Sequence, residues 1–129
     1  MTSSSQLLID SHILIWLLYE PEKLSPQTQD ILRSAEAVYL SPVSLWELAL
    51  KYRKNKLIYS PKELAKGARE LNLDRLPLKD EHLLTLPEIK LPHEDPFDTL
   101  LIAQSETEGY VFLTADKHLL QSKYNTLVC

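Results

Sequence analysis

A single cysteine, Cys129, occurs in the 129-residue chain, so no disulfide framework can form within it. That fits a reducing compartment. Positive charge is also scarce: 14 Lys and Arg stand against 18 Asp and Glu, for a net charge of -4. Proteins that hold nucleic acid by charge alone are usually basic, so this balance excludes that mode. The exclusion lapses if several carboxylates gather to hold cations, because bound metal reverses the local sign. The apolar stretch Leu7 to Leu18 is interrupted by Asp10, Ser11 and His12. It is shorter than the roughly 20 residues that span a bilayer. The start, Met1 to Gln6, lacks the basic residues of a secretory signal. These features predict a cytoplasmic protein with no membrane association.

Several chemistries are missing as well. His12, His82, His93 and His118 show no zinc spacing. No Ser/His/Asp arrangement of familiar spacing offers a covalent nucleophile. Repeats, low-complexity tracts and linkers are lacking. With 44% hydrophobic and 25% charged residues, the composition is that of one ordinary globular domain spanning residues 1–129.

What is present is an alternation of short apolar strands and helices. Leu7-Leu-Ile9 predicts a buried strand ending at Asp10, followed by a helix from His12 to Tyr19. Ser25-Pro26 and Ser60-Pro61 each pair an N-cap with a helix-opening proline. They predict helices to about Ser34 and Leu71. Val38 to Leu40 predicts a second strand, and Val43 to Lys54 a helix stopped at Asn55. A short helix is expected from Lys79 to before Pro87. Phe97 to Glu108 predicts a helix closed by Gly109 as its C′ residue. Tyr110 to Leu113 is a third strand, Lys117 to Gln121 a short helix, and Thr126 to Val128 a final edge strand. The order implies an α/β fold: a short parallel sheet of about four to five strands with helices on both faces. Open parallel sheets bind ligands at the carboxyl ends of their strands.

Four carboxylates sit among residues that favour burial: Asp10, Glu47, Asp98 and Asp116. Asp10 and Asp116 end strands. Glu47 and Asp98 are expected in the first turns of helices leaving the same edge. Gathered together, they would repel one another without a cation, and an all-oxygen set suits Mg²⁺ or Mn²⁺ rather than zinc. Such a site suits phosphodiester hydrolysis by an activated water. Each acid also has a purely structural reading. Asp10 and Asp116 are potential N-caps, Glu47 could close a capping box with Ser44, and Asp98 suits a helix dipole. The joint pattern favours the site.

Lys51, Arg53 and Lys54 lie beside Glu47 in the densest basic stretch, either as phosphate contacts or as cations set against the end of a helix dipole. Ser44 is either a cap or a partner for Glu47. His93 precedes Asp95-Pro-Phe-Asp98, and Trp16 and Trp46 fall on apolar helix faces suited to core or dimer packing.

These residues resemble the PIN-domain family, and within it the VapC-like toxins. Asp10-Ser11 with Ile13-Leu-Ile-Trp-Leu-Leu18 is similar to the family's first motif, and Ser41-Pro-Val-Ser-Leu-Trp-Glu47 to its second. Asp95-Pro-Phe-Asp98 followed by Leu100-Leu-Ile-Ala-Gln104 is the most specific piece, and Leu113-Thr-Ala-Asp116 completes the set. The resemblance implies a Mg²⁺- or Mn²⁺-dependent endoribonuclease with Asp10, Glu47, Asp98 and Asp116 as its metal site. Ser11 and Thr114 would be polar neighbours that order water or a carboxylate. It also implies a homodimer and a cognate VapB-like antitoxin whose tail blocks the site. One departure is Thr99, where relatives with this motif usually carry an arginine; threonine cannot grip phosphate bidentately. An aspartate-based phosphatase or phospho-receiver on a similar sheet would need a second aspartate near Asp10, which the chain lacks. A PIN-like module kept only for protein contacts would have no use for four retained acids.

Overall fold

A computed structural model of the chain describes residues 5–91, 95–121, 124 and 126–128. Its centre is a sheet of five parallel strands: β1 (Gln6–Ile9), β2 (Ala37–Leu40), β3 (Asp74–Arg75), β4 (Val111–Thr114) and β5 (Thr126–Val128). Their spatial order is β3-β2-β1-β4-β5. Between them run α1 (Ser11–Tyr19), α2 (Pro26–Ser34), α3 (Pro42–Arg53), α4 (Pro61–Glu70), α5 (Asp80–Thr85) and α6 (Pro96–Glu108). Short 3₁₀ turns cover Pro21–Lys23, Leu86–Glu88 and Lys117–Gln121.

The apolar strands are continuous because both faces of the sheet are covered. Leu7 and Ile9 of β1 point into a core completed by Ile13, Leu14, Leu64 and Ala68 of α1 and α4. Leu8 points the other way, with Phe112, against Leu100, Leu101 and Ile102 of α6. Helix α3 serves both layers, sending Leu48 to the first and Val43 to the second. Each fully buried Leu or Ile contributes about 1.5–3 kcal/mol relative to exposure. Gly67 marks the close crossing of α4 on α1: a Cβ there would lie 2.7 Å from a Leu18 methyl.

The helix ends follow the side-chain chemistry. Ser25 and Ser60 cap α2 and α4, and Ser60 and Glu63 form a reciprocal box. The capping box that Ser44 and Glu47 could close does not form. Ser41 is the N-cap of α3, with Oγ accepting from the Val43 N–H, and Pro42 opens the helix. Ser44 therefore lies inside the first turn, and Glu47 falls in the second turn rather than the first. Strand β3 was not anticipated: its two residues are exposed and charged, so no apolar pattern announces it. The final strand does form, parallel to β4. No helix among the described residues is long and apolar enough to cross a membrane.

Candidate metal centre at the carboxyl edge of the sheet

Strands β1 and β4 lie side by side with Ile9 opposite Leu113, and the Asp10 N–H donates to the Leu113 carbonyl at 3.0 Å. This register sets Asp10 beside Thr114 and Ala115. The Asp10 carboxylate accepts from the Ile13 N–H at 2.9 Å, capping α1. It also accepts from the Thr114 hydroxyl at 2.6 Å and the Ala115 N–H at 2.9 Å. Thr114 Oγ1 in turn accepts from the Asp116 N–H at 3.0 Å. One threonine thus fixes both the carboxylate of Asp10 and the backbone that carries Asp116. Asp116 accepts from the His118 N–H at 2.9 Å, so it caps the turn that follows while lining the cavity.

Glu47 reaches the same place from α3. Its Oε1 accepts from the Ser11 hydroxyl at 2.9 Å, and its Oε2 lies 3.7 Å from Lys51 Nζ. Ser44 is fully buried, and its Oγ finds no hydrogen-bond partner among the described residues. Asp95 caps α6, accepting from the N–H groups of Phe97 and Asp98. Asp98 projects from the first turn of that helix.

All four predicted acids line one cavity of about 420 Å³, together with Asp95, Ser11, His12, Trp16 and Ala115. Asp95, His12 and Trp16 were not foreseen as lining residues. The cap position before Pro96 could have indicated Asp95. The i, i+4 spacing of His12 and Trp16 along α1, directly after the strand, is the corresponding signal for those two. Arg53 and Lys54 do not line the cavity, and Lys51 meets it only through Glu47. Trp46 is more than half exposed and packs edge-on to Phe97 at 4.8 Å. Thr99 donates to the Asp95 carbonyl at 2.8 Å and borders a neighbouring hollow. His93 and Cys129 lie outside the described residues.

The electrostatics of the cavity are those of uncompensated negative charge. Burial, followed by the charges of Asp95, Asp10, Glu47 and Asp116, pushes the Asp98 carboxyl up to about 7. The carboxyl keeps its proton near neutrality because burial penalises its charge and the neighbouring carboxylates repel it. An all-oxygen donor set in this state fits a hard divalent cation. The acids stand apart around the cavity. Among the described residues, the trio with ligand atoms within 4.8 Å of one another is Glu81, His82 and Glu108. That trio is not a metal site. His82 Nδ1 accepts the Lys79 N–H at 3.0 Å, so the ring proton sits on Nε2 and points at Glu108, 2.8 Å away. No lone pair remains there for a metal. Burial works against the Glu108 charge, but hydrogen bonds from His82 and Lys79 prevail and hold its carboxyl below the ordinary range. His82, with Lys79, ties α5 to α6 through Glu108.

The fold and cavity define a class: parallel α/β domains that gather acids where their central strands end. Within it, the PIN domain family model matches residues 7–124, and the chain belongs to that family. PIN domains are generally nucleases. No curated protein matches the sequence. Among solved structures, the chain resembles DNA-bound VapBC from Salmonella typhimurium, with TM-score 0.70, 14% identity, and 96% of this chain and 98% of that chain covered. VapBC2 from Rickettsia felis, bound to a DNA fragment from its promoter, gives TM-score 0.69 at 12% identity, covering 96% and 97%. FitAcB from Neisseria gonorrhoeae gives 0.62 at 20% identity, covering 94% and 96%.

Proposed function

We propose that this protein is a metal-dependent endoribonuclease and the toxin of a toxin–antitoxin pair. It acts in the cytoplasm as a homodimer and is restrained by a VapB-like antitoxin. The observation that carries the reading is the cavity itself. Acids from the ends of β1 and β4 and from α3 and α6 line one space of about 420 Å³, and burial, aided by the neighbouring carboxylates, keeps Asp98 protonated near pH 7. The likeness to VapBC and FitAcB structures supports the toxin role.

In this reading Asp10, Glu47, Asp98 and Asp116 hold Mg²⁺ or Mn²⁺. When bound, the cation offsets phosphate charge and acidifies an attacking water. The side chains supply the order that this chemistry needs. Thr114 and the Ala115 N–H fix Asp10, and Ser11 fixes Glu47. Lys51 restrains Glu47 from the solvent side. Ser44 lies one turn before Glu47 in α3 with its Oγ free to turn toward that carboxylate, and Arg53 and Lys54 contact the RNA backbone at the flank.

The test is digestion of a mixed RNA pool with Mn²⁺, using protein freed of antitoxin. Wild type should cleave, chelator should stop it, and Asp98→Asn should lower the rate at least a hundredfold, about 2.7 kcal/mol of barrier. Equal cleavage by Asp98→Asn would overturn the assignment. No cleavage by any form would leave a PIN-fold binding module.

A further inference from the structure

Two of the cavity's acids, Glu47 and Asp98, stand on separate helices, so the gap between them depends on how α3 sits against α6. One contact between these helices is aromatic: Trp46 packs edge-on to Phe97 at 4.8 Å, each beside one of the two acids in sequence. Another is polar and wholly buried. The Ser41 hydroxyl donates to Gln104 Oε1 at 2.6 Å, across 63 residues of sequence. Both partners are held from behind. Ser41 Oγ accepts from the Val43 N–H at 3.0 Å as the N-cap of α3. On the far side, His82 Nδ1 accepts the Lys79 N–H and so carries no proton. Only the amide nitrogen of Gln104 can bond to it, at 3.4 Å, which turns the amide oxygen toward Ser41. His82 then donates from Nε2 to Glu108 at 2.8 Å. The donors thus run one way, from Val43 through Ser41, Gln104 and His82 to Glu108, and the three middle side chains are fully buried.

Resting on the nuclease reading and its metal site, we propose that Gln104 is a positioning residue: through Ser41 it fixes the register of α3 on α6, and with it the gap between Glu47 and Asp98. Gln104 does not line the cavity, so it acts only through the helices that it joins. Packing alone does not call for it. A buried polar pair adds little net stability over apolar groups of the same shape. What the pair adds is direction. Elsewhere the helices meet through apolar side chains, Val43 among Leu100, Leu101 and Ile102, and such contacts tolerate small slides. A hydrogen bond whose two ends are each tied to backbone N–H groups does not. Metal ligands need that precision, since they must be held to within about 0.5 Å. Ser41 and Gln104 therefore stand to Glu47 and Asp98 as Thr114 stands to Asp10 and Asp116, with the order imposed one layer further out.

Mn²⁺ affinity, rather than cleavage, reads the positioning role. It is measured on the full chain freed of antitoxin, from the electron paramagnetic resonance signal of unbound Mn²⁺. Gln104→Met keeps the length of the side chain and removes both polar groups, and it should bind Mn²⁺ about tenfold more weakly than wild type. Ser41→Gly loses the bond to Gln104 at little cost to the cap and should show the same loss. Ser41→Thr keeps the hydroxyl and should stay within about twofold of wild type. A double-mutant cycle separates positioning from general loosening. In a Glu47→Gln background, adding Gln104→Met should change affinity by no more than about twofold, because the carboxylate that it positions is gone. An equal loss in both backgrounds overturns the proposal, as does wild-type affinity in a folded Gln104→Met. If Gln104→Met does not fold, Ser41→Gly takes its place in the cycle under the same criteria. The proposal and the reading beneath it fail separately. Wild type that binds Mn²⁺ and cleaves RNA, with no effect of Gln104 or Ser41, sinks the positioning role alone. Binding of Mn²⁺ without cleavage sinks the nuclease reading and leaves the cycle to decide the positioning role, whereas no binding by wild type sinks both.

Discussion

Asp10 and Asp98 are both carboxylates of one cavity, and they differ in what the protein does with them. Asp10 receives three hydrogen bonds, from the capped turn of α1 and from the end of β4. Replacing it removes a cap and strands two donors, so Asp10→Ala should destabilise the domain by about 2–4 kcal/mol in urea melts. Asp98 receives none from the described residues, and its environment opposes its charge. Its folded pKa of about 7 exceeds the ordinary 3.8, so the metal-free native state keeps a proton that the unfolded chain releases between those values. Its contribution to stability therefore declines as pH rises from about 4 to about 7. Metal-free Asp98→Asn should melt higher than wild type at pH 8, with the gap closing below pH 4. A constant gap across that range would contradict this origin. The four acids were legible from their placement after strands and in apolar helices. The difference between them was not, because it lies in donors more than 100 residues away in sequence. Ser44 is a related case: three-residue spacing suggested a cap, whereas Ser41 beside Pro42 took that role. Since Ser44 Oγ makes no bond among the described residues, Ser44→Ala should leave thermal stability unchanged or raised.

Among the elements, α6 is the best determined by its own sequence. Asp95 and Pro96 open it, its apolar face fills the second core, and Gly109 closes it at φ 76. A Cβ at Gly109 would meet nothing within 4 Å, so strain arises only from the left-handed backbone. Gly109→Ala should cost about 1 kcal/mol, read from the denaturation midpoint. A cost near zero would mean that the turn relaxes. Strand β3 illustrates the opposite limit. Asp74 and Arg75 join the sheet only because β2 offers a free edge, opposite Tyr39 and Leu40, and no local propensity marks them. Edge pairing of two charged residues is a decision of the tertiary fold.

At the scale of the whole molecule, one bound cation would link elements that begin at residues 11, 42 and 96 and a strand that ends at Thr114. A ligand that binds the folded state alone stabilises all of it. Millimolar Mn²⁺ should therefore raise the melting temperature of wild type, more at pH 8 than at pH 5, where Asp98 holds its proton. The same addition should shift Asp98→Asn far less. An equal shift in both would place the ion elsewhere. The parallel sheet and its two covers were legible because short, wholly apolar runs such as Leu7-Leu-Ile9 alternate with helices along the chain.

The pairing of β1 with β4 has a consequence for the order of events on the ribosome. Thr114 reaches back 104 residues to Asp10, so nothing resembling the pocket exists while that downstream segment is still in the exit tunnel. A growing chain that has emerged through Asp98 already displays four of the five cavity acids but lacks the neighbour strand that orients the first. Completion of the cavity therefore waits on the last stretch of synthesis.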